Sequence, residues 1–475
     1  MSKTNNLSDF LMDLVDTIRL KKYTTEMINP QEISDIIQSW GNKDLKDVNY
    51  FDINNTILES YTLEEFQNIE NPPIPTTPEG LVFTGWTYTV EDIKNAGRGM
   101  YNVGAKYDFI DNTYNAIFVI VIPSDNTSIS EYGFTYIDWG DGTVTESTSY
   151  NKRYYHTYNA GVYTIKGNIS SSAQFDTYKP LSNMLCVKRM FLKTMYYSLF
   201  EYADYTNKLV YIQDYDKRIN KYSGIIKHLT IGNSSSFGEN VTIENFSVDK
   251  SVTSFSSSLL ANCTVKNLVI PNHIASIQSY SKIKNCDKII INDSNQILNC
   301  PNTAYSELFG NYIYLGRSID YNGFKAKKQI EIGPLCTSLP EYFNTSTDLE
   351  ELYIPETVTH IGKGSFTSCS SLKKVTFNAS TKVPQSFCFN SASLEYVKIG
   401  PLVTGFDSSC FGNCPNIGLV DCSESTNVLF LNGNAFRESG SCVFIVPDAL
   451  YDEWITAYGW SSIASQIVKV SDYNN

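Results

Sequence analysis

The sequence predicts a mainly β protein with a small α-helical N-terminal region, in which a stack of short repeats follows a β-sandwich. Three observations predict this class. A Leu-x-x-Leu-x-Ile pattern recurs at a nearly constant interval from position 349 onward. The segment 116–165 is rich in β-forming residues at strand spacing. A proline-rich stretch, 71–78, separates this β pattern from apolar residues at helical spacing near the N-terminus.

The composition narrows the classes of partner. The 475 residues carry a formal net charge of −13, only 18% of them are charged, and Tyr occurs 33 times. Nucleic-acid binding requires a basic surface, and the sequence has no dense run of Lys or Arg, so nucleic acid is not expected as a partner. Polar, Tyr-rich surfaces are instead typical of extracellular β proteins and contact surfaces.

The N-terminus shows no signal peptide. Residues 1–10 are polar, and the first apolar residues fall at helical spacing rather than in one block. No run of about 18 apolar residues occurs, so no membrane span is expected. We therefore expect synthesis in a cytoplasm without export by the usual route.

Residues 1–70 are predicted to be helical. Ser8 is a candidate N-cap, Asn29-Pro30-Gln31-Glu32 has the signature of a helix start, and Thr62 with Glu65 forms a capping box. Short helices bury little surface alone, so we expect this region to anchor the protein to a partner chain. The stretch 71–78 is then a stiff linker and the clearest domain boundary.

Residues 79–175 are predicted to form the β-sandwich. Apolar residues occupy both faces of 116–122, and an Asp-Gly pair indicates a hairpin turn. The stretch 137–143, IDWGDGT, followed by 156–164, HTYNAGVYT, resembles a PKD-type immunoglobulin-like domain, which implies a spacer or adhesion module. The residues that define this motif are Trp139, Gly140, Asp141, Gly142, His156, Tyr158, Gly161 and Tyr163.

Asp138 and Asp141 allow two interpretations. Two carboxylates in one turn are candidate calcium ligands. Asp is also common in turns because its side chain accepts hydrogen bonds from nearby backbone N–H groups, and this simpler role is the one we expect. His156 is expected to have a structural role in the last strand of the sandwich.

Repeats dominate the second half of the chain. The pattern starts at 349, 372, 394 and 417, at a nearly constant interval of roughly 22 residues. Each unit gives one short strand with inward-pointing apolar residues, and because one unit cannot cover its own apolar face, neighbouring units must stack into a solenoid. A Phe that recurs once per unit is predicted to fill the convex side of each coil, at Phe366, Phe387, Phe411 and Phe436.

The repeats are expected to span 225–447, between an irregular N-terminal cap at 176–224 and a C-terminal cap at 448–475. Their consensus, S-L-x-x-V-x-I-P-x-x-V-T-x-I-G-x-x-S-F-x-x-C, resembles the BspA-like leucine-rich repeat, and Ile354 to Leu372 match it almost throughout. The resemblance implies a leucine-rich-repeat solenoid that serves binding, as in bacterial surface adhesins and in phage and protist proteins.

No motif predicts catalysis, a metal site or a cofactor. The 11 cysteines are odd in number and lack paired CxxC spacing, so we interpret most of them as buried free thiols. Gly97-x-Gly99 lacks the third glycine of a nucleotide-binding loop. No stretch of about 150 residues is left for a catalytic domain, so we expect a non-enzymatic protein.

The N-terminal sequence also suggests where the protein is mounted. Residues 7–19 and 28–37 are similar to a short leader of tail-associated proteins in gut bacteriophages. The similarity implies a tail-associated or fibre-like virion protein, attached to other virion proteins through its N-terminal region. The solenoid would then face a bacterial surface protein or glycan, with candidate contacts at Tyr353, Lys374, Tyr396 and Lys398.

Two alternatives stay open. A bacterial cell-surface adhesin of the BspA-like type would need a signal peptide or a C-terminal sorting segment. An accessory binding region of a carbohydrate-active enzyme would need a catalytic domain.

Overall fold

The computed structural model describes residues 48–51, 57–77, 79–110, 113–122, 127–176, 186–192, 209–214, 224–231, 241–248, 250, 252–255, 263–277, 286–300, 308–320, 324–343 and 346–473. Every described residue belongs to the compact unit that spans 46–475. The leader-like sequences at 7–19 and 28–37, and the helix starts predicted at Ser8 and Asn29, therefore lie outside the described residues.

Residues 48–109 form a small α+β subdomain, which we call the N-terminal subdomain. Its strands are β1 (Val48–Phe51), β2 (Ile57–Tyr61), β3 (Leu81–Trp86) and β4 (Tyr101–Phe109), in the order β2-β1-β4-β3. β1 runs parallel to β4, and the other neighbours are antiparallel. Two short helices, α1 (Leu63–Phe66) and α2 (Val90–Lys94), begin with capping boxes at Thr62 and Thr89.

The N-terminal subdomain corrects two predictions. Residues 48–51 and 57–61, assigned to a helical region, are strands, because their backbone groups pair with each other and with β4. The stretch 71–78 does not separate domains, because strands on both sides of it belong to one sheet. Within it, Pro75 is buried and the backbone oxygen of Thr76 accepts a hydrogen bond from the Tyr107 hydroxyl at 2.9 Å.

A large sheet of thirteen strands begins after the N-terminal subdomain. The antiparallel end consists of β5 (Ala116–Ile122), β6 (Thr127–Asp138), β7 (Val144–Glu146), β8 (Arg153–Tyr158) and β9 (Gly161–Asp176). The parallel part consists of β10 (Cys186–Leu192), β11 (Leu209–Asp214), β12 (Gly224–Ile231), β13 (Val241–Val248), β15 (Thr264–Ile270), β17 (Cys286–Ile291), β18 (Leu308–Leu315) and β19 (Phe324–Ile332). The strand order is β19-β18-β17-β15-β13-β12-β11-β10-β5-β9-β6-β7, with β8 paired to β6.

This sheet corrects the prediction of a separate sandwich at 79–175. Strands β3 and β4 lie in the N-terminal subdomain, whereas β5 pairs with β10 and so continues directly into the repeats. In the described residues, the strands between 116 and 176 are connected by hydrogen bonds into one sheet, which continues into the repeats. The segment 176–224, expected to be an irregular cap, contributes the parallel strands β10 and β11.

The later coils carry a main ladder of parallel strands, and a second ladder of shorter strands runs through earlier and later coils. The main ladder contains β21 (Glu351–Ile354), β23 (Lys374–Phe377), β24 (Tyr396–Ile399), β26 (Leu419–Asp421), β28 (Val443–Val446) and β29 (Ile467–Lys469). The second ladder consists of two-residue strands: β14 (Ser254–Phe255), β16 (Ser276–Ile277), β20 (Ser338–Leu339), β22 (His360–Ile361), β25 (Gly405–Phe406) and β27 (Phe430–Leu431). The mainly β class with a solenoid of stacked coils is thus confirmed.

The recurring phenylalanines form one column along the stacked coils. Phe366, Phe387 and Phe411 are fully buried, and Phe436 packs against the core at the end of the column. Neighbouring rings lie 5.4, 6.2 and 5.6 Å apart between centroids. The predicted positions of these four residues therefore coincide with one continuous packing feature.

The C-terminal cap covers the last coil. It contains the 3-10 helices Asp448–Leu450 and Trp460–Gln466, helix α3 (Tyr451–Thr456), strand β29 and helix α4 (Val470–Tyr473). Trp454 and Trp460 are fully buried, and Trp460 Nε1 donates to the backbone oxygen of Leu429 at 2.6 Å. The described helices have at most seven residues, and none combines the length and apolarity of a bilayer-spanning segment.

Ten cysteines, from Cys263 to Cys442, are free and buried, as the thiol interpretation predicted. Burial raises the pKa of eight of these thiols, for example to about 12 at Cys369 and to about 11 at Cys414. They act in the core as small apolar side chains.

Candidate binding face

The alternation of the repeat strands decides which side chains face outward. In β21, Leu352 and Ile354 are buried in the core, whereas Glu351 and Tyr353 are exposed. The same parity holds in β23, where Val375 and Phe377 are buried. The Leu-x-x-Leu-x-Ile pattern therefore sets a core face and, between its apolar positions, an outward face.

Parallel pairing aligns the outward side chains in two rows, which we call the open face. One row contains Glu351, Lys374, Tyr396, Leu419 and Val443. The other row contains Tyr353, Thr376, Lys398 and Asp421 and ends at Ile445, which is buried. All four predicted contact residues lie on this face: Lys374 and Tyr396 are neighbours in the first row, and Tyr353 and Lys398 flank Thr376 in the second.

Two charged groups of the open face have close polar partners. Lys398 Nζ lies 2.6 Å from Glu424 Oε1, and the Tyr396 hydroxyl donates to Asp421 Oδ2 at 3.0 Å. Burial, together with this carboxylate, raises the pKa of Tyr396 to about 12, so its hydroxyl remains a hydrogen-bond donor at neutral pH. Tyr353 is 53% exposed. The face therefore offers hydroxyl groups and aromatic area more than net charge.

In the preceding coils, outward positions near the ends of the described strands are buried. Ile290 is fully buried although it lies between the core residues Ile289 and Ile291 and so points to the opposite side. Tyr314 is likewise fully buried between Ile313 and Leu315. The N-terminal subdomain covers this part of the sheet.

The N-terminal subdomain is held against the sheet by a set of hydrogen bonds that we call the clasp. Asp293 Oδ2 accepts from the Arg98 backbone N–H at 2.8 Å, and the Asp293 N–H donates to the Arg98 oxygen at 2.8 Å. Asn292 makes the same exchange through its side-chain amide, with Met100 N–H at 3.1 Å and Met100 O at 3.0 Å. The Tyr314 hydroxyl donates to Asp293 Oδ1 at 2.6 Å.

Outer contacts reinforce the clasp. Arg98 forms an ion pair with Glu331 at 3.0 Å, and Glu331 accepts from the Tyr312 hydroxyl at 2.7 Å. Burial, then hydrogen bonding to these carboxylates, raises the pKa of Tyr312 and of Tyr314 far above the ordinary range. Sequence reasoning missed the clasp. Its signal was the Gly97-x-Gly99 loop, whose glycines let the backbone approach Asp293 and Asn292.

The motif-defining residues of 137–164 come together in one packed corner. The rings of Trp139 and His156 stack with centroids 4.6 Å apart, and His156 Nε2 lies 2.7 Å from Asp141 Oδ2. The Tyr158 hydroxyl donates to the Trp139 oxygen at 2.9 Å, and the Tyr163 hydroxyl donates to the Asn159 oxygen at 3.0 Å. His156 thus has local structural partners.

Backbone conformation and lack of space for a side chain explain the glycines of this corner. Gly140 and Gly142 have φ of +78° and +91°, which L side chains rarely adopt. A Cβ on Gly140 would lie 2.4 Å from the Thr164 oxygen, and one on Gly161 would lie 3.1 Å from the Tyr163 ring. The conformation of the turn therefore requires glycine at 140 and 142.

The two aspartates of the turn accept local N–H groups. Asp138 Oδ1 accepts from Gly140 N–H at 3.0 Å, and Asp141 Oδ1 accepts from Thr143 N–H at 3.0 Å. Across the ranges that the structure describes, no group of three or more His, Cys, Asp or Glu side chains is arranged to hold a metal ion. The geometry is that of an Asp-stabilised turn.

Three kinds of comparison place the chain among known proteins. Residues 215–331 and 337–451 match the BspA type leucine-rich repeat region, in six copies. No curated protein matches the chain significantly.

Among solved structures, the chain is similar to a leucine-rich repeat protein from Eubacterium ventriosum, at 18% identity over 45% of this chain and 77% of that one, with a TM-score of 0.25. It is also similar to the pneumococcal vaccine antigen PcpA, at 12% identity over 58% and 73% of the two chains, with a TM-score of 0.24. A leucine-rich cell surface protein from Faecalibacterium prausnitzii aligns at 13% identity over 62% and 93%, with a TM-score of 0.19.

These structural similarities add nothing to the fold described above, because their TM-scores are low. The repeat match is independent of them and coincides with the strand pairing from β12 to β28. Residues 215–331 and 337–451 therefore form a leucine-rich repeat region of the BspA type.

Proposed function

We propose that this protein is a non-enzymatic binding protein whose open face engages a protein or glycan on a bacterial surface. The observation that carries the proposal is the contrast between two halves of the main strand face. The earlier half is buried under the N-terminal subdomain, whereas the later half exposes aligned polar and aromatic side chains.

The size of the open face supports a macromolecular ligand. Five strands, β21 to β28, lie side by side, and strand spacing of about 4.8 Å gives a width of roughly 19 Å. Repeat solenoids commonly bind through extended surfaces of this kind. Because Lys398 is paired with Glu424 and Asp421 accepts a hydrogen bond from Tyr396, we expect contact area and hydrogen bonding to matter more than long-range attraction.

The test removes two exposed side chains from the face. Fluorescently labelled full-length protein carrying Tyr353→Ala and Lys374→Ala is expected to bind a panel of bacterial cells about tenfold more weakly than the unchanged protein. The matched control carries Tyr458→Ala and Lys382→Ala, which lie outside the face. Equal binding by the face variant, or an equal loss in the control, contradicts the proposal.

We propose that the protein is carried on a phage particle, as a tail-associated or fibre-like component attached to other virion proteins through its N-terminal region. The similarity of 7–19 and 28–37 to a phage tail leader supports this location. The repeat match favours a second candidate, a BspA-like adhesin on the bacterial cell. Mass spectrometry of purified particles and surface biotinylation of cells separate the two. Detection only on cells overturns the virion proposal.

A further inference from the structure

Two coils of the solenoid separate along the second ladder. The bridge between Leu298 and Ile319 is not continued to β20, although β20 pairs with β22 on its other side. Among the described residues, no backbone–backbone hydrogen bond joins 318–320 to 337–341. On the main ladder the same two coils remain hydrogen-bonded through β18 and β19. The two coils are therefore separated at the second ladder but joined at the main ladder, and we call the space between them the wedge.

The cause is a short coil. The sequence between the strand ends Leu315 and Ile332 is clearly shorter than the roughly 22-residue spacing of the later repeats. Side chains replace part of the missing ladder. Ser318 Oγ accepts from the N–H groups of Thr337 and Ser338, both at 3.0 Å. Within the second of these coils, the buried Lys325 donates to the Phe343 oxygen at 2.8 Å. The Ser318 side chain thus bridges the two coils, although their backbones are not paired at this ladder.

A cavity of about 550 Å³ occupies the wedge, which is within the usual size range of small-ligand sites. Its lining includes three buried apolar residues, Ile319, Leu339 and Ile361. One wall is fixed by close backbone packing, because a Cβ on Gly362 would lie 2.3 Å from the Glu341 nitrogen. The shape of the cavity is therefore set by the backbone.

The rim of the cavity carries exposed polar side chains of both signs. Asp320 and Glu341 supply carboxylates, Lys363 supplies an ammonium group, and His360 supplies an imidazole. Opposite charges side by side favour neither a strongly anionic nor a strongly cationic ligand. They suit a ligand whose groups both donate and accept hydrogen bonds.

The main chain at the cavity argues against an extended peptide as the ligand. Strand addition needs free N–H and C=O groups along an edge. The Ser338 N–H is already bonded to Ser318 Oγ, and Pro340 has no N–H. Recognition must therefore come from the side chains of the rim.

We propose that this cavity is a second binding site, for one or two uncharged sugar units of a glycan. Hydroxyl groups of a sugar would donate to Asp320 and Glu341 and accept from Lys363, while its C–H groups would lie against the exposed imidazole ring of His360. The site is separate from the open face and does not depend on the function proposed for that face.

The test titrates the full-length protein with glucose, galactose, mannose, N-acetylglucosamine, lactose and maltose at up to about 10 mM, where a millimolar Kd is measurable. Ligand-observed NMR and calorimetry report binding. Glu341→Gln is expected to weaken the affinity about tenfold, because a charge-assisted hydrogen bond is lost. Ser338→Trp is expected to abolish binding by filling the cavity.

Matched controls are Glu356→Gln and Ser380→Trp, which change exposed residues outside the cavity. The proposal is overturned if none of the six sugars binds, if Glu341→Gln binds as the unchanged protein does, or if the controls lose binding equally. Should Ser338→Trp lower the thermal midpoint, Glu341→Gln alone decides. The open-face variant Tyr353→Ala should bind the sugar normally, which separates this test from that of the proposed function.

Discussion

At the residue scale, the clasp glycines have the least room for change. A Cβ on Gly97 would lie 2.3 Å from Asp293 Cβ, which is itself held by three hydrogen bonds. Gly97→Ala should therefore lower the free energy of unfolding by about 1–3 kcal/mol, seen as a lower thermal midpoint. Gly433→Ala is the control, because a Cβ there meets nothing within 4 Å. A similar midpoint for the two variants would count against the clasp.

The corner around Trp139 predicts a pH dependence. Burial raises the pKa of Asp141, but hydrogen bonds from Thr143 and His156 outweigh burial and hold the pKa below its ordinary value of 3.8. A carboxyl group whose pKa is lowered by folding stabilises the fold above its unfolded pKa, and this contribution is lost as the pH falls through the folded pKa. Asp141→Asn should therefore lower the thermal midpoint at pH 7.

In more acidic solution the same comparison should change. Below the folded pKa, Asp141 is neutral in the unchanged protein too, so the midpoints of the two proteins should converge. Scanning calorimetry from pH 7 into the acid range checks this. A difference that stays constant with pH would show that the charge of Asp141 does not stabilise the corner.

At the scale of elements, the Phe column predicts a steep cost for one truncation. Phe387 is fully buried and contacts Phe366, Phe377 and Phe411. Phe387→Ala leaves a cavity and should cost about 3–5 kcal/mol of stability, measured by chemical denaturation. Phe389→Ala, two positions later and 36% exposed, should cost far less. Equal losses of stability in the two variants would mean that the Phe column does not contribute to the stability of the fold.

Sequence reasoning succeeded where structure follows a local period. From 349 onward, the spacing of apolar residues placed the inward positions of β21, β23 and β24, and by exclusion the outward ones. Strand β1 could not be found in this way. It is short and carries no alternation, and four other elements separate it in sequence from its parallel partner β4.

The N-terminal β strands show a second limit. A run such as 116–122 signals a strand but not the sheet that it joins, and β5 pairs with β10 of the solenoid instead of a second sandwich sheet. The clasp joins Arg98 to Asp293 across 195 residues of sequence, so no pattern within one segment could reveal it. Long-range pairing is what local patterns leave undetermined.

At the scale of the whole molecule, the clasp divides the main strand face into a covered half and the open face. Asn292→Ala combined with Asp293→Ala should release the cover, because it removes the side-chain bonds to 98–100. Hydrogen exchange is expected to speed up in 97–101 and in 312–315, and to stay unchanged in 394–446. Faster exchange throughout the chain would instead indicate general unfolding.

The covered half also fixes where the open face begins, and the C-terminal cap fixes where it ends. Between these limits each coil contacts its two neighbours and contributes one strand to the row. Gain or loss of one whole repeat unit would therefore lengthen or shorten the open face by one strand spacing, about 4.8 Å, without altering either boundary. The reach of this surface can therefore change during evolution only in whole repeat units, while both of its boundaries stay fixed.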